Sequence, residues 1–388
     1  MRRHFSRAAL AAMVLLLAVT GAWALDFGSL VGIAPSYGDD GLALSFGLTP
    51  WISASLGGDS ELYLSGSFSV DLADGAWTYG FAPERAELVM RPVAGTEVHV
   101  GRMRYADGAG LVVSGLYDGF SVRTIFSGID IKLGALYGGL QDKEDSELLM
   151  SGADVADYGD DTVLFAPGRI VMAASATIPG TIAWFVDALA QFDTRGSAAL
   201  HSQYLVLGVD GSLSSALGLS AAMVGSVVEE AGFDPAFSLA AEAELGWMPE
   251  GGWPDRAYLS LRWATGDYGA FNPYLSVNAI SQGQIFTPRL AGLFVSRIGY
   301  TARIDESLSA DIQSTAFVRS ASGGPADSGI DPASDSIWLG AEAYASLRWA
   351  PVSDISLSSG LGLFVPGTAF LPDQPIRWLI SLALVVSL

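Results

Sequence analysis

The sequence predicts an all-β protein, a transmembrane antiparallel up-and-down β-barrel of about 18 strands, with 16 as the alternative count. Three observations predict it. Half of the 388 residues are hydrophobic and the mean hydropathy is +0.38. Yet beyond the first two dozen residues no apolar run reaches the roughly 20 residues that a spanning helix needs. The apolar residues instead alternate with small or polar ones, and the chain ends on such an alternation, IRWLISLALVVSL (376–388).

The N-terminus reads as a secretory signal peptide over residues 1–24. MRRHFSR is basic, AALAAMVLLLAV is a short apolar stretch, and Ala22 and Ala24 supply the small residues of a cleavage site. Residues 25–388 then form one barrel domain. Cleavage removes Arg2, Arg3 and Arg7 and no acid, which takes the formal charge from −21 to −24. So acidic a chain is a poor nucleic-acid ligand. The absence of cysteine excludes disulfides and thiolate metal sites.

Alternation of period two marks the strands. In ELYLSGSFSVDL, Leu62, Leu64, Phe68, Val70 and Leu72 share one face, and Glu61, Tyr63, Ser65, Ser67, Ser69 and Asp71 the other. GIDIKLGALY and FSLAAEAELGW behave alike, with Ile129, Ile131 and Leu133 opposing Asp130 and Lys132, and Phe237, Leu239 and Leu245 opposing Ser238, Glu242 and Glu244. At the end, Trp378, Ile380, Leu382, Leu384, Val386 and Leu388 oppose Arg377, Ser381 and Ser387. Small and polar inward residues suit a wet lumen, and only a closed sheet leaves no unpaired backbone in lipid.

The connections alternate in length. Short ones are expected at 57–60, 92–95, 127–128, 179–180, 213–216, 248–256, 305–307 and 351–354. Longer ones are expected at 35–41, 73–82, 104–116, 138–168, 192–201, 228–236, 265–289, 321–335 and 365–374. Short turns at one end and long loops at the other are a barrel pattern. The first two strands, 26–34 and 42–56, are the weakest. Trp184, Trp247 and Trp349 fall on the outer face near the short turns, and Tyr137, Phe192, Trp263 and Trp378 near the long loops, as two aromatic girdles. Trp338 has lumen parity and calls for a bulge or a pore-facing indole.

Taken together, the leader, the hairpin rhythm and WLISLALVVSL resemble a Gram-negative-type outer-membrane porin across the whole mature chain. Leu388 departs from the Phe or Trp that closes many such barrels. VGRMRYADGAGLVVSGLYDGFSV (100–122) is similar to the strand–loop–strand of porins of the alginate-export or phosphate-porin kind, which have 18 strands. The resemblance implies an outer membrane of a diderm bacterium, contact with outer-membrane lipid, insertion by the barrel assembly machinery, and a monomer or a trimer. It implies no cofactor and no metal.

Function then rests on lumen chemistry. Arg85, Arg91, Arg123 and Lys132 have inward parity, with Arg102 and Arg104 at the loop end of the same sector; Arg262, Arg297, Arg303, Arg319, Arg348 and Arg377 form a second sector. A charge facing lipid at mid-depth costs about 2–4 kcal/mol, which favours inward placement. These groups either pair with Glu87, Asp130, Glu242, Glu244, Asp311 and Glu342 to brace the wall, or form a basic wall that shapes the pore field. The loop 138–168 carries eight acidic residues and one lysine. It is a solvated surface loop, a constriction folded into the barrel, or a Ca²⁺ site through Asp154, Asp157, Asp160 and Asp161, whose spacing matches no EF-hand. Catalysis has little support: His99, beside Glu97, and His201 are the histidines of the mature chain, and the polar-lining reading of His99 outweighs a Ser–His pairing. The expected function is passive diffusion of small hydrophilic solutes or ions, with a plugged surface adhesin or antigen as the alternative, and no enzyme.

Overall fold

In the computed structural model, the described residues are 24–388 apart from 40, 74, 197–198, 250–254 and 322–328. The signal-peptide reading falls on residues outside these. Eighteen strands follow in chain order: β1 Ala24–Gly38, β2 Gly41–Gly57, β3 Ser60–Ala73, β4 Ala76–Val93, β5 Thr96–Ala106, β6 Ser114–Phe126, β7 Ile129–Tyr137, β8 Arg169–Ile178, β9 Ile182–Asp193, β10 Leu200–Ser212, β11 Leu217–Glu230, β12 Ala236–Trp247, β13 Arg256–Ala264, β14 Leu293–Arg303, β15 Leu308–Arg319, β16 Trp338–Val352, β17 Ile355–Pro366 and β18 Arg377–Ser387. Each pairs antiparallel with its neighbours in sequence, and β1 pairs with β18 to close the ring. This is an 18-stranded up-and-down barrel, so the higher of the two expected counts holds. No helix among the described residues is long and apolar enough to cross a membrane.

The two faces separate as the alternation requires. In β10, Leu200, Ser202, Tyr204, Val206 and Gly208 are buried, while Gln203, Leu205 and Leu207 are exposed. The buried face is the inner one, because Tyr204 Oη donates to Leu275 O in a loop that enters the barrel. Trp184, Trp247 and Trp349 stand exposed on the outer face near the short turns. Trp338 is resolved by a bulge: Phe317 pairs with Gly340 and Val318 with Trp338, which leaves Leu339 as the extra residue. The bulge turns Trp338 outward and sends Leu339 into the interior at 0 % exposure. Gly340 sits at φ +135°, a conformation that favours glycine.

Two connections depart from expectation. Residues 35–41 and 73–82 are not long loops, since β1–β2 and β3–β4 close within two residues each. The strands run on because the alternation does: Leu72 pairs with Trp77, Val70 with Tyr79 and Phe68 with Phe81, all on the outer face. The weak first pair is thus fully part of the wall.

Candidate functional site: the lumen and its loop plug

Three loops enter the lumen and interlock. From the loop 107–113, Val112 O accepts from Val277 N–H at 2.9 Å, and Leu111 O accepts from Tyr274 Oη at 2.8 Å. Asn278 Oδ1 accepts from Ser114 N–H and from Tyr117 Oη. From the loop 138–168, Glu147 O accepts from Ala279 N–H at 2.8 Å and Leu149 O from Arg289 at 2.8 Å. Backbone groups that would lie bare in the lumen are thereby satisfied loop against loop.

Apolar side chains fill the space beneath. Leu111, Val112, Val113, Leu148, Met150, Tyr274, Val277 and Leu290 from the loops pack on inner-face residues of β5 to β13, among them Met103, Tyr117, Leu189, Val206, Val224 and Ala240. A second cluster sets Phe286 and Phe370 against Val295, Phe317, Leu339 and Phe364 on β14 to β17. Phe286 stacks on Phe364 with centroids 4.7 Å apart and meets Phe317 edge-on at 5.0 Å.

The loop 138–168 is therefore an inward element. Its helix α1, Gly152–Gly159, is capped at both ends. Ser151 forms a capping box with Asp154, and the Lys143 ammonium donates to the carbonyls of Tyr158 and Asp160 at 3.0 and 2.7 Å. Asp154 is wholly buried. It takes two bonds from Arg169 at 2.8 and 2.9 Å, one from Arg195 at 2.6 Å, and the N–H groups of Met150 and Ser151. Arg169 in turn meets Asp193 at 2.9 Å, and both side chains are fully buried. Burial pushes the Asp154 carboxyl up, but the two arginines and two backbone donors hold it below its ordinary range. These contacts correct the calcium reading: Asp154 is committed to arginine, Asp157 faces Arg195 at 3.3 Å, and Asp160 caps its own turn through Thr162. Asp161 is exposed beside it.

The predicted basic residues divide by role. On the wall β4–β7, Arg85 pairs with Glu87, Arg91 with Glu97 at 2.6 Å, and Arg123 with Asp130 at 2.8 Å. Lys132 sits 3.8 Å over the Tyr105 ring. His99 lies between Glu87 and Glu97, and the Ser121 hydroxyl opposite it points to the Met103 sulfur, so no Ser–His pair forms there. In the second sector, Arg262 binds Glu242 at 3.1 Å and Gln282 at 3.3 Å, and Arg297 donates to Gln282 O at 2.7 Å. Arg319 donates to Ser334 O at 3.2 Å. Glu342 accepts the consecutive N–H groups of Gln284, Ile285 and Phe286 at 2.8–3.1 Å. These side chains hold loops. Nearer the short turns, Arg256 pairs with Glu244, Arg303 reaches the turn carbonyls of Asp305 and Glu306, Arg348 reaches Ser356, and Asp311 accepts from Thr301. Arg377 lies over the Phe364 and Phe370 rings at 5.9 and 5.5 Å.

Arg102 is a correction. Met103 and Tyr105 take the inner face of β5, so Arg102 has outer parity and does not line the pore. It is stabilised there by Asp118, at 3.0 and 2.8 Å, and by the carbonyls of Pro83 and Leu140. Arg104 shares that outer parity. The residues missed from sequence are Arg169, Asp193 and Arg195. An inward arginine opening a strand directly after an acid-rich loop was the available signal.

No family model and no curated protein sequence matches the chain. The solved structures similar to it include the following from Pseudomonas aeruginosa. OccK11 (OpdR) has a TM-score of 0.62 at 13 % identity, covering 94 % of this chain and 96 % of that one. OpdK with vanillate has 0.61 at 13 %, covering 94 % and 98 %. OccK2 (OpdF) in complex with glucuronate has 0.61 at 12 %, covering 94 % and 98 %. At such identities the likeness is one of fold: this chain has the same barrel architecture over nearly its whole length.

Proposed function

We propose that the chain is an outer-membrane channel through which small hydrophilic solutes diffuse passively, along a path off the barrel axis. One observation carries this. The two apolar clusters that plug the lumen draw on inner-face residues of every strand from β5 to β17 and on none from β18 or β1–β4. The inner face of β2 and β3 is instead mostly small and polar, with Ser45, Gly47, Thr49, Ser53, Ser65, Ser67 and Ser69 around one aromatic pair, Trp51 stacked on Tyr63. A wall of this kind favours water, and an 18-strand ring is wide enough to leave a gap beside a one-sided plug. The exposed apolar outer face and the closed ring suit a lipid surroundings. Binding of vanillate and of glucuronate by two proteins of like fold supports small-solute passage. On this reading selectivity comes from bore and wall charge rather than bond-making.

The test is conductance of the detergent-purified protein in a planar bilayer, with folding checked by heat-modifiable gel mobility. Stable unitary steps are expected. Folded protein that gives none would replace the channel with a plugged barrel whose loops serve adhesion.

A further inference from the structure

We infer that the open wall selects cations over anions, through four carboxylates that no arginine neutralises: Asp26, Glu61, Asp71 and Glu84. The inference rests on the channel reading above and names its solute class.

The four groups share the inner face of β1, β3 and β4. Asp26 pairs in register with Ser53, whose hydroxyl donates to Glu61 at 2.8 Å, so these three lie together at the short-turn end. Asp71 is opposite Ser45 and Thr78, near the other end. Glu84 stands between. It is the bulged residue where Gly66 pairs with Pro83 and Ser65 with Arg85, and its carboxylate accepts from the inward Ser67 hydroxyl at 2.9 Å. Ten residues separate Glu61 from Asp71, which at a rise of about 3.3 Å per residue is roughly 33 Å along the strand. The carboxylates therefore form a stair down most of the wall.

Among the described residues, none of the four has an ion-pair partner. The two arginines on this wall are both engaged, Arg85 by Glu87 and Arg91 by Glu97. Arg91 does approach the pocket shared by Asp26, Asp59 and Glu61, but its charge is matched by Glu97. The remaining lumen bases lie outside β1–β4, and on β6 and β7 Arg123 is held by Asp130 and Lys132 sits over the Tyr105 ring. Arg262 and Arg297 bond to the plug, and Arg319 to the carbonyl of Ser334 beyond β15. Arg303 and Arg348 lie at the short-turn ends of β14 and β16, and Arg377 lies over aromatic rings at the loop end. The segments of the plug that meet over the lumen expose Glu147 and Arg289, one of each sign. Low-dielectric walls focus such a field into the gap, where unpaired charges dominate over paired ones. A cation passing down the stair meets a carboxylate at each level, and an anion meets repulsion.

The reversal potential under a KCl gradient tests this. The wild-type channel is expected to prefer K⁺ to Cl⁻, with a permeability ratio that climbs as bulk KCl is lowered, because the Debye length grows from about 3 Å at 1 M to about 10 Å at 0.1 M. The combined change Asp26→Asn, Glu61→Gln, Asp71→Asn, Glu84→Gln should bring the ratio toward unity. The single change Glu84→Gln, the mildest for folding, should lower it part of the way. Arg85→Gln, by contrast, frees Glu87 and should raise it. A conducting wild type that prefers Cl⁻, or a ratio unmoved by the quadruple and single changes, overturns the inference and leaves the channel standing. A folded protein that does not conduct overturns both.

Discussion

Replacing Asp154 by Ala should open the plug without unfolding the barrel. The carboxylate is fully buried and holds Arg169, Arg195 and two backbone N–H groups. Its loss leaves the buried Arg169 with Asp193 as its carboxylate partner and strips the N-terminal turn of α1 of its capping box. Removing one partner of a buried ion pair costs about 3–5 kcal/mol, and each stranded buried N–H adds roughly 1–3 kcal/mol. Even the lower figure shifts the ratio of docked to undocked loop by about a hundredfold, at roughly 1.4 kcal/mol per factor of ten. The wall is untouched, because its eighteen strand pairings do not involve residue 154. The expected result is a folded barrel, heat-modifiable as before, with larger or noisier unitary conductance and fast proteolysis within 144–160. Asp154→Asn keeps an acceptor for Met150 and Ser151 and should lie between. Unchanged conductance and unchanged protease resistance in Asp154→Ala would refute the claim that this cluster latches the loop.

Other consequences follow from the same contacts. Phe286→Ala removes the ring shared by Phe317, Phe364 and Phe370 and should cost about 3–5 kcal/mol of plug stability, read as faster hydrogen exchange at 283–290 with the strands still protected. Lys143→Met keeps the stem but deletes the charge that caps α1, and should destabilise the helix by about 0.3–1 kcal/mol, visible as increased exchange at 157–160 and little change in conductance. Acid should release the plug. The Asp154 carboxyl is held below its ordinary 3.8, so its contribution is fully present above that pH and is lost as pH falls through the lowered value. Conductance from this source should stay flat from pH 7 to about pH 4 and rise only below it, and a rise centred near pH 6 would point to another group.

The wall was legible and the plug was not, for a physical reason. A strand writes its orientation into the chain at every second residue, so Leu62, Leu64 and Phe68 could be assigned outward without coordinates. Even the strand ends misread as loops carried the signal, since Trp77, Tyr79 and Phe81 keep the outer parity of their partners Leu72, Val70 and Phe68. The Trp338 anomaly was an accurate reading of parity, and one bulged residue, Leu339, accounts for it. Loops have no such period. Whether 138–168 turned inward depended on Asp154 meeting Arg169 and Arg195, fifteen and forty-one residues away, and nothing local fixes that pairing. Arg102 failed for a different reason. The cost of an outward arginine is decisive only at mid-depth; near the strand end it falls to roughly 0–1 kcal/mol, and Asp118 with two carbonyls offsets it.

The arginines of the two sectors, expected either to brace the wall or to form a basic lining, separate by what stands opposite them. Where a loop enters, the guanidinium or carboxylate on the wall meets loop backbone, and Arg297 to Gln282 O and Glu342 to three successive N–H groups are anchors. Beside the open wall, Arg85 is met by Glu87 and Arg91 by Glu97, which largely cancels their far field, while Arg303 and Arg348 stay at the short-turn ends of β14 and β16 on turn carbonyls and Ser356. Neither arrangement leaves much free positive charge on the side that stays open. The same bonds that draw the loops across β5–β17 therefore decide the sign of the gap they leave along β18–β4, because the bases are spent on fixing the plug and the acids opposite the gap are not.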